Sequence, residues 1–284
     1  MMSVQAEAAI AAPPASIRPM PSNWRVLRKQ VAYQLRLFLR YPAGVFFTVA
    51  LPLIMLVLFN SIFAGKTMNT PGGEPWPIAR FYTGALAAFS AVAATYTNMV
   101  VVIPMRRADG ILKRWRSTPV ATWVYLGGWV VSAVMVAFVG VVIQLSVGVI
   151  FYGVTLDPAK LPAMLVTFVV GMATFAALGL TVASLVPDPD SAPAVANATL
   201  LPLAFVSDVF IPLYEPLPLW IKVLGDAFPL KALVNSFQDT LDPWVAAPGF
   251  DWPRLAFIAA WGVVGAFLAS RTFTWEPNGG TKRT

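Results

Sequence analysis

The chain has 284 residues, 58% hydrophobic and only 12% charged, with a net charge of +7. An ordinary soluble domain carries about 25% charged residues, so the composition excludes that class and indicates a polytopic membrane protein. Neither Cys nor His occurs, which removes disulfides, thiolate and imidazole metal sites, Cys nucleophiles and His proton shuttles.

The basic residues cluster in short segments beside apolar runs, where they act as topology determinants rather than as a nucleic-acid footprint. Nucleic acid is therefore not an expected partner. Met1–Pro21 is rich in Ala and Pro and is expected to form a disordered cytoplasmic tail. No cleavable signal peptide is expected, because the first apolar run starts near Ala43 behind a long basic segment.

Asn23 can cap a helix over Trp24–Tyr41. At about 100° per residue, Arg25, Lys29, Arg36 and Arg40 fall within about 60° of one another. Trp24, Leu27, Val31, Leu35 and Phe38 fall opposite. The pattern fits an amphipathic helix in the headgroup region, with membrane lipid as its partner; a plain positive flank to the first span is the alternative.

Six spans are expected: Ala43–Ala64, Phe81–Pro104, Trp123–Phe151, Leu161–Val186, Ala192–Pro212 and Pro253–Phe273, each meeting the ~20-residue requirement. With the N-terminus inside, fourteen of the twenty Lys and Arg residues face the cytoplasm. That bias predicts cytoplasmic N- and C-termini. The chain reads as an all-α fold with one transmembrane domain, residues 22–275, followed by a cytoplasmic tail, 276–284. Within the external segment Leu213–Trp252, Leu217–Leu224 and Pro229–Phe237 are too short to span. They fit short re-entrant helices broken around Gly225 and Pro229, or a loop lying on the headgroups.

Ionisable residues are nearly absent from the spans. Asp208, in Phe205-Val206-Ser207-Asp208-Val209-Phe210-Ile211-Pro212, is the exception. It reads either as a gate carboxylate or as a residue at the water boundary where the helix ends. One such Asp does not make an ion relay, so energy for transport is expected to enter from outside the membrane. Gly65-Lys66-Thr67 mimics the end of a phosphate-binding loop, but Asn60 stands where its first Gly belongs. No catalytic residue, metal site or cofactor is expected in this chain.

The loop 105–122 is the remaining entry point. Asp109-Gly110 breaks the helix leaving the second span, and Ile111, Leu112, Trp115 and Thr118 recur at helical spacing. Arg107, Lys113, Arg114 and Arg116 supply charge. A short helix with an apolar edge, anchored in a partner's groove by Trp or Leu, and a simple positive-inside turn both fit.

The run Arg106-Arg107-x-Asp109-Gly110-Ile111-Leu112-Lys113-Arg114-x-Arg116-Ser117-Thr118-Pro119-Val120 resembles the loop after the second span in type-2 ABC-transporter permeases. The Phe205–Pro212 run, followed by Leu217-Pro218-x-Trp220 and Phe228-Pro229-Leu230, is similar to that family's fifth-span signature. Arg271-Thr272-Phe273-x-Trp275-Glu276 resembles the drug-resistance branch that includes daunorubicin-type exporters. The resemblance covers roughly residues 24–275. It implies a six-span permease subunit in a prokaryotic inner membrane, paired with a second permease (a homodimer or a paralogue) and with two copies of a cytoplasmic ATPase. ATP and Mg would sit on that ATPase. It implies an interfacial helix at Trp24–Tyr41 and a coupling helix at Gly110–Thr118, with Asp109, Gly110, Leu112, Arg114, Trp115 and Arg116 as coupling residues. Phe205, Ser207, Asp208, Phe210 and Pro212 become gate candidates, although the family often has Gly where Asp208 stands. The expected function is export of lipophilic or amphiphilic substrates such as drugs, natural products or lipids. An ion-coupled carrier, or export of a polysaccharide or lipid-linked glycan, is the alternative.

Overall fold

A computed structural model of the protein describes residues 21–69, 75–211 and 218–274. The expected tails, apart from Pro21, lie outside the described residues, as do Pro212, Trp275 and Glu276. Helix α1 is Asn23–Leu39. The first membrane-length helix, α2, runs Pro42–Ile62 with a π-helical segment at Phe46–Ala50. Pro52 follows that segment within a turn. It lacks an N–H to donate and its ring crowds the carbonyl one turn back, so a widened turn there relieves the conflict.

A small antiparallel hairpin, β1 (Thr67–Asn69) with β2 (Pro75–Pro77), pairs Met68 with Trp76. Its second strand is Pro-Trp-Pro, a composition that argues against a strand, and the sequence reading missed it. The pairing is explained by tertiary contact: Trp76 is buried and meets Phe81 edge-to-face at 6.0 Å. The phosphate-loop mimic resolves here, since Thr67 enters a strand and not a helix.

Helix α3 (Ile78–Ala108) and, after the short α4 (Ile111–Arg116), helix α5 (Thr122–Tyr152) are each 31 residues long. At 1.5 Å per residue that is about 46 Å, well beyond the ~30 Å hydrocarbon core. Helix α6 is Pro158–Leu185, α7 is Ala192–Phe205, α8 is Leu219–Ala227, α9 is Pro229–Leu241 and α10 is Trp252–Thr272. Five of these helices, α2, α3, α5, α6 and α10, are long and apolar enough to cross a membrane. The expected fifth span, Ala192–Pro212, is instead a 14-residue helix that stops at Phe205. Its last turn gives way to a tight turn in which Asp208 has φ 55°, a conformation no α-helix continues.

The two expected short helices are present, shifted and extended to Leu219–Ala227 and Pro229–Leu241. The break falls at Phe228, whose extended backbone is what a following proline imposes. Gly225 is not part of the break. It lies inside α8, where a Cβ would stand 2.3 Å from the Val206 carbonyl oxygen.

Helix α3 is the central element: every residue from Phe81 to Val92 is buried, whereas Leu51–Ile62 of α2 buries only Pro52, Leu56 and Asn60. Lipid removes the hydrophobic driving force between helices, so close packing and interhelical hydrogen bonds must hold the bundle. The α6–α10 pair shows both devices. Gly262 and Gly265 bring α10 against Thr174 and Leu178, while Thr174 and Thr181 donate to the carbonyls of Ile258 and Gly265 at 2.9 and 2.7 Å. Helix α9 seats Leu230, Leu233, Val234 and Phe237 fully in the core, with its Gln238 backbone against Gly84 of α3.

Candidate functional site

Two regions at opposite ends of α3 hold the expected functional residues. At the first, α3 ends and α4 begins through Asp109 and Gly110. Gly110 has φ 69° and forms the N-cap of α4. A Cβ there would meet nothing within 4 Å, so the requirement for glycine is conformational, not steric. Asp109 is exposed beside it.

Leu112 is fully buried among Met99, Ile103, Tyr125, Trp129, Ala133 and Ala183, a satellite cluster shared by α3, α5 and α6. Trp115 is half-buried, its ring 5.0 Å from that of Tyr125. The apolar edge of α4 thus faces its own membrane domain. Leu112, one of the two side chains that could have anchored α4 in a partner, is occupied within this chain, while Trp115 keeps part of its ring accessible. Lys113, Arg114 and Arg116 form the exposed face. Ser117 and Thr118 donate back to the carbonyls of Arg114 and Trp115 at 2.8 and 2.7 Å, satisfying acceptors that the helix end leaves open.

Arg107, counted from sequence among the solvated charges, is 3% exposed. It donates to the Val186 carbonyl that caps α6, and to Thr274 Oγ1 beyond α10 at 3.3 Å. No sequence signal separates it from its four basic neighbours. Arg106 lies 5.6 Å over the Trp129 ring.

Helix α1 packs across the same end of the bundle, against α5. Arg25, Lys29, Arg36 and Arg40 share its exposed side, opposite the buried Leu27 and Gln34. The buried face is rotated from the expected apolar stripe. Trp24 is 69% exposed, meeting Trp123 edge-to-face at 6.0 Å, while Gln34 goes inside. Gly127 and Gly128 of α5 let α1 approach closely on this face: a Cβ at Gly128 would lie 2.5 Å from the Gln30 side chain.

At the other end lies the turn after α7. Phe205 is half exposed, its ring 5.1 Å from Phe210, which in turn meets Phe89 of α3 at 5.4 Å. Tyr82 donates to the Phe210 carbonyl at 3.2 Å. Ser207 is fully buried, and its hydroxyl has no hydrogen-bond partner among the described residues. Asp208 is 4% exposed, and Gln238 of α9 donates to its carbonyl at 3.4 Å.

A cation beside this turn is Lys231 of α9. Its Nζ lies 3.9 Å from Asp208 Oδ2 and 2.9 Å from Asp226 Oδ1. Sequence reasoning missed Lys231, although it follows the Phe228-Pro229-Leu230 motif directly. Asp208 lies three residues past the end of α7 and is buried within the protein. A cavity of about 310 Å³ opens beside this cluster, lined by Asp226, Lys231, Asn235, Arg254 and Phe257 among others. Asp239 at the end of α9 pairs with Arg254 of α10. Burial pushes its carboxyl above the usual range, and Arg254 opposes that rise.

Apolar helices of spanning length, with a basic helix clamped across one end and a helical hairpin over a buried ion pair at the other, make this a multi-pass membrane protein. The family model for the ABC-2 type transporter matches residues 27–241, and the chain belongs to the ABC-2 type transporter family. The matched stretch runs from α1 to the end of α9 and includes both regions. No curated protein matches the chain. Permeases of this family have no ATP site of their own and generally work with a cytoplasmic ATPase subunit.

Proposed function

We propose that this chain is the permease subunit of an ABC exporter of the drug-resistance branch, moving lipophilic or amphiphilic substrates with energy from a separate ATPase. The observation that carries the reading is α4. A six-residue helix presents Lys113, Arg114 and Arg116 outward while Leu112 locks it to α3, α5 and α6. A partner pressing on that face moves three membrane helices together, because packed interiors transmit displacement.

In this reading α4 faces the cytoplasm with both termini, in a prokaryotic inner membrane, and docks two ATPase copies across a pair of permease subunits. ATP and Mg bind on those partners. The α7 segment with its following turn completes a sixth crossing, and α8–α9 form the external re-entrant hairpin. Helix α1 lies in the headgroup layer, its basic face toward anionic lipid. Exposed apolar side chains along α2 (Phe47, Ile54, Leu58) and α10 (Val263, Phe267) supply surface for lipid and for the second permease subunit.

The cargo assignment rests on membrane-length helices nearly free of ionisable residues and on the aromatic cluster of Phe205, Phe210 and Phe89. Purification in detergent with its co-expressed operon partners tests the reading. A P-loop ATPase is expected to copurify, and ATP-dependent transport is expected in proteoliposomes. Transport driven by an ion gradient without any ATPase would sink it, and a requirement for a glycan substrate would move it to the polysaccharide branch.

A further inference from the structure

We propose that Arg107 is a positioning residue that carries displacement of α4 to the α6–α10 pair, and that its loss uncouples ATP hydrolysis from transport. The inference rests on the reading of α4 as the ATPase contact. It starts from a burial that the positive-inside role does not explain. A charge whose task is topology belongs in water, yet Arg107 is 3% exposed. Burying a guanidinium is costly unless its donors are satisfied.

Here the donors reach two separate chain segments. One nitrogen donates to the Val186 carbonyl, the C-cap of α6, where the helix dipole is negative. The other donates to Thr274, two residues past the end of α10. Arg107 itself lies three residues before Gly110, so its backbone moves with the start of α4. The fork thereby spans the helix that enters α4 and the ends of two other membrane helices.

Those two helices behave as one body. Thr174 and Thr181 bond α6 to α10 along its length, and the hydroxyls of Ser184 and Thr272 lie 2.5 Å apart at the same end as Arg107. Leu112 gives α4 an apolar grip on the α6 side through Ala183, and that grip is non-directional. A guanidinium holding acceptors on two chain segments resists sliding and rotation as well as separation, because its donors are planar and rigid.

The experiment uses the assembled complex and exploits the absence of cysteine in the chain. Spin labels at Ser117→Cys at the C-cap of α4, outside the Lys113, Arg114 and Arg116 face, and at Leu185→Cys at the end of α6 report whether the two move together; both positions are exposed. With Arg107 in place the distance distribution is expected to be narrow and to shift as a whole on ATP addition. Arg107→Met is expected to broaden it, to keep ATP hydrolysis within about twofold and to lower transport about tenfold. Arg107→Lys keeps the charge but not the fork and is expected to fall between. Unchanged distances and transport in Arg107→Met overturn the proposal. So does a parallel fall of assembly, hydrolysis and transport in both variants, which assigns Arg107 to folding alone. If no ATPase accompanies the unaltered chain, the coupling reading of α4 fails, while the labelled pair still decides whether Arg107 ties α4 to α6.

Discussion

The ammonium of Lys231 stands 3.9 Å from the carboxylate of Asp208, joining the α8–α9 hairpin to the turn where α7 stops. Asp208 is 6% exposed at its side chain and Lys231 16%, whereas Asp226, the second partner of Lys231, is 50% exposed. Breaking a fully buried pair costs about 3–5 kcal/mol. Partial exposure lowers the expectation for Lys231→Met to about 1–3 kcal/mol. A lower thermal unfolding midpoint in detergent checks this, and a midpoint equal to that of the unaltered protein would show that the pair contributes nothing.

Asp208 also separates two physical effects at one position. Its φ of 55° costs an ordinary side chain about 1–2 kcal/mol, a cost glycine avoids and Asp tolerates better than most. Asp208→Gly is therefore expected to be more stable than Asp208→Ala, although both lose the charge. Thermal unfolding of the two variants decides it, and equal midpoints would remove the backbone argument.

Gly110 makes the complementary case. Space is free around its Cα, so Gly110→Ala meets only the strain of φ 69°, about 1 kcal/mol. Gly110→Asn is expected to recover part of the loss, since Asn visits the left-handed region more readily. Transport assays should rank the glycine protein above Asn and Asn above Ala.

Leu112 and Arg114 are neighbours on the sides of α4 that face opposite tasks. Leu112→Ala opens a cavity in the satellite cluster and is expected to cost about 2–4 kcal/mol of stability. Arg114→Glu alters an exposed side chain and is expected to change stability by under about 0.5 kcal/mol while weakening copurification of the ATPase. The pair of unfolding and pull-down measurements tests the split. An Arg114→Glu protein that retains its ATPase fully would place the docking face elsewhere.

Gly225→Ala probes the contact between hairpin and turn. The new methyl would fall 2.3 Å from the Val206 carbonyl oxygen, a backbone atom that cannot rotate away. The expected cost is about 1–3 kcal/mol from overpacking, read by thermal unfolding, with transport impaired because the turn carrying Asp208 must shift.

Much of this architecture was legible because lipid imposes simple rules. An apolar run of about 20 residues favours a helix, since every backbone donor needs an internal partner, although the run Ala192–Pro212 stops at Phe205. That rule placed α2, α3, α5, α6 and α10 within a few residues of their observed ends. Local chemistry did the same for the breaks at Pro229 and at Asp109-Gly110, but not for Gly225, which lies inside α8. It did not reveal the Pro-Trp-Pro strand, whose pairing depends on Trp76 finding Phe81.

The amino-acid sequence by itself determined that the chain is a helical membrane protein, where its apolar helices run and which short segment is charged. These follow from the solvent, and composition states them directly. Only the tertiary structure decided which charges are solvated and which are structural. Arg107 and Arg114 are chemically alike in the sequence, yet one is buried against the ends of α6 and α10 and the other stands in the open. Likewise Asp208 acquires Lys231, 23 positions away, only when α9 folds back beneath the turn. Burial and pairing depend on which neighbour arrives in space, and no local pattern encodes that.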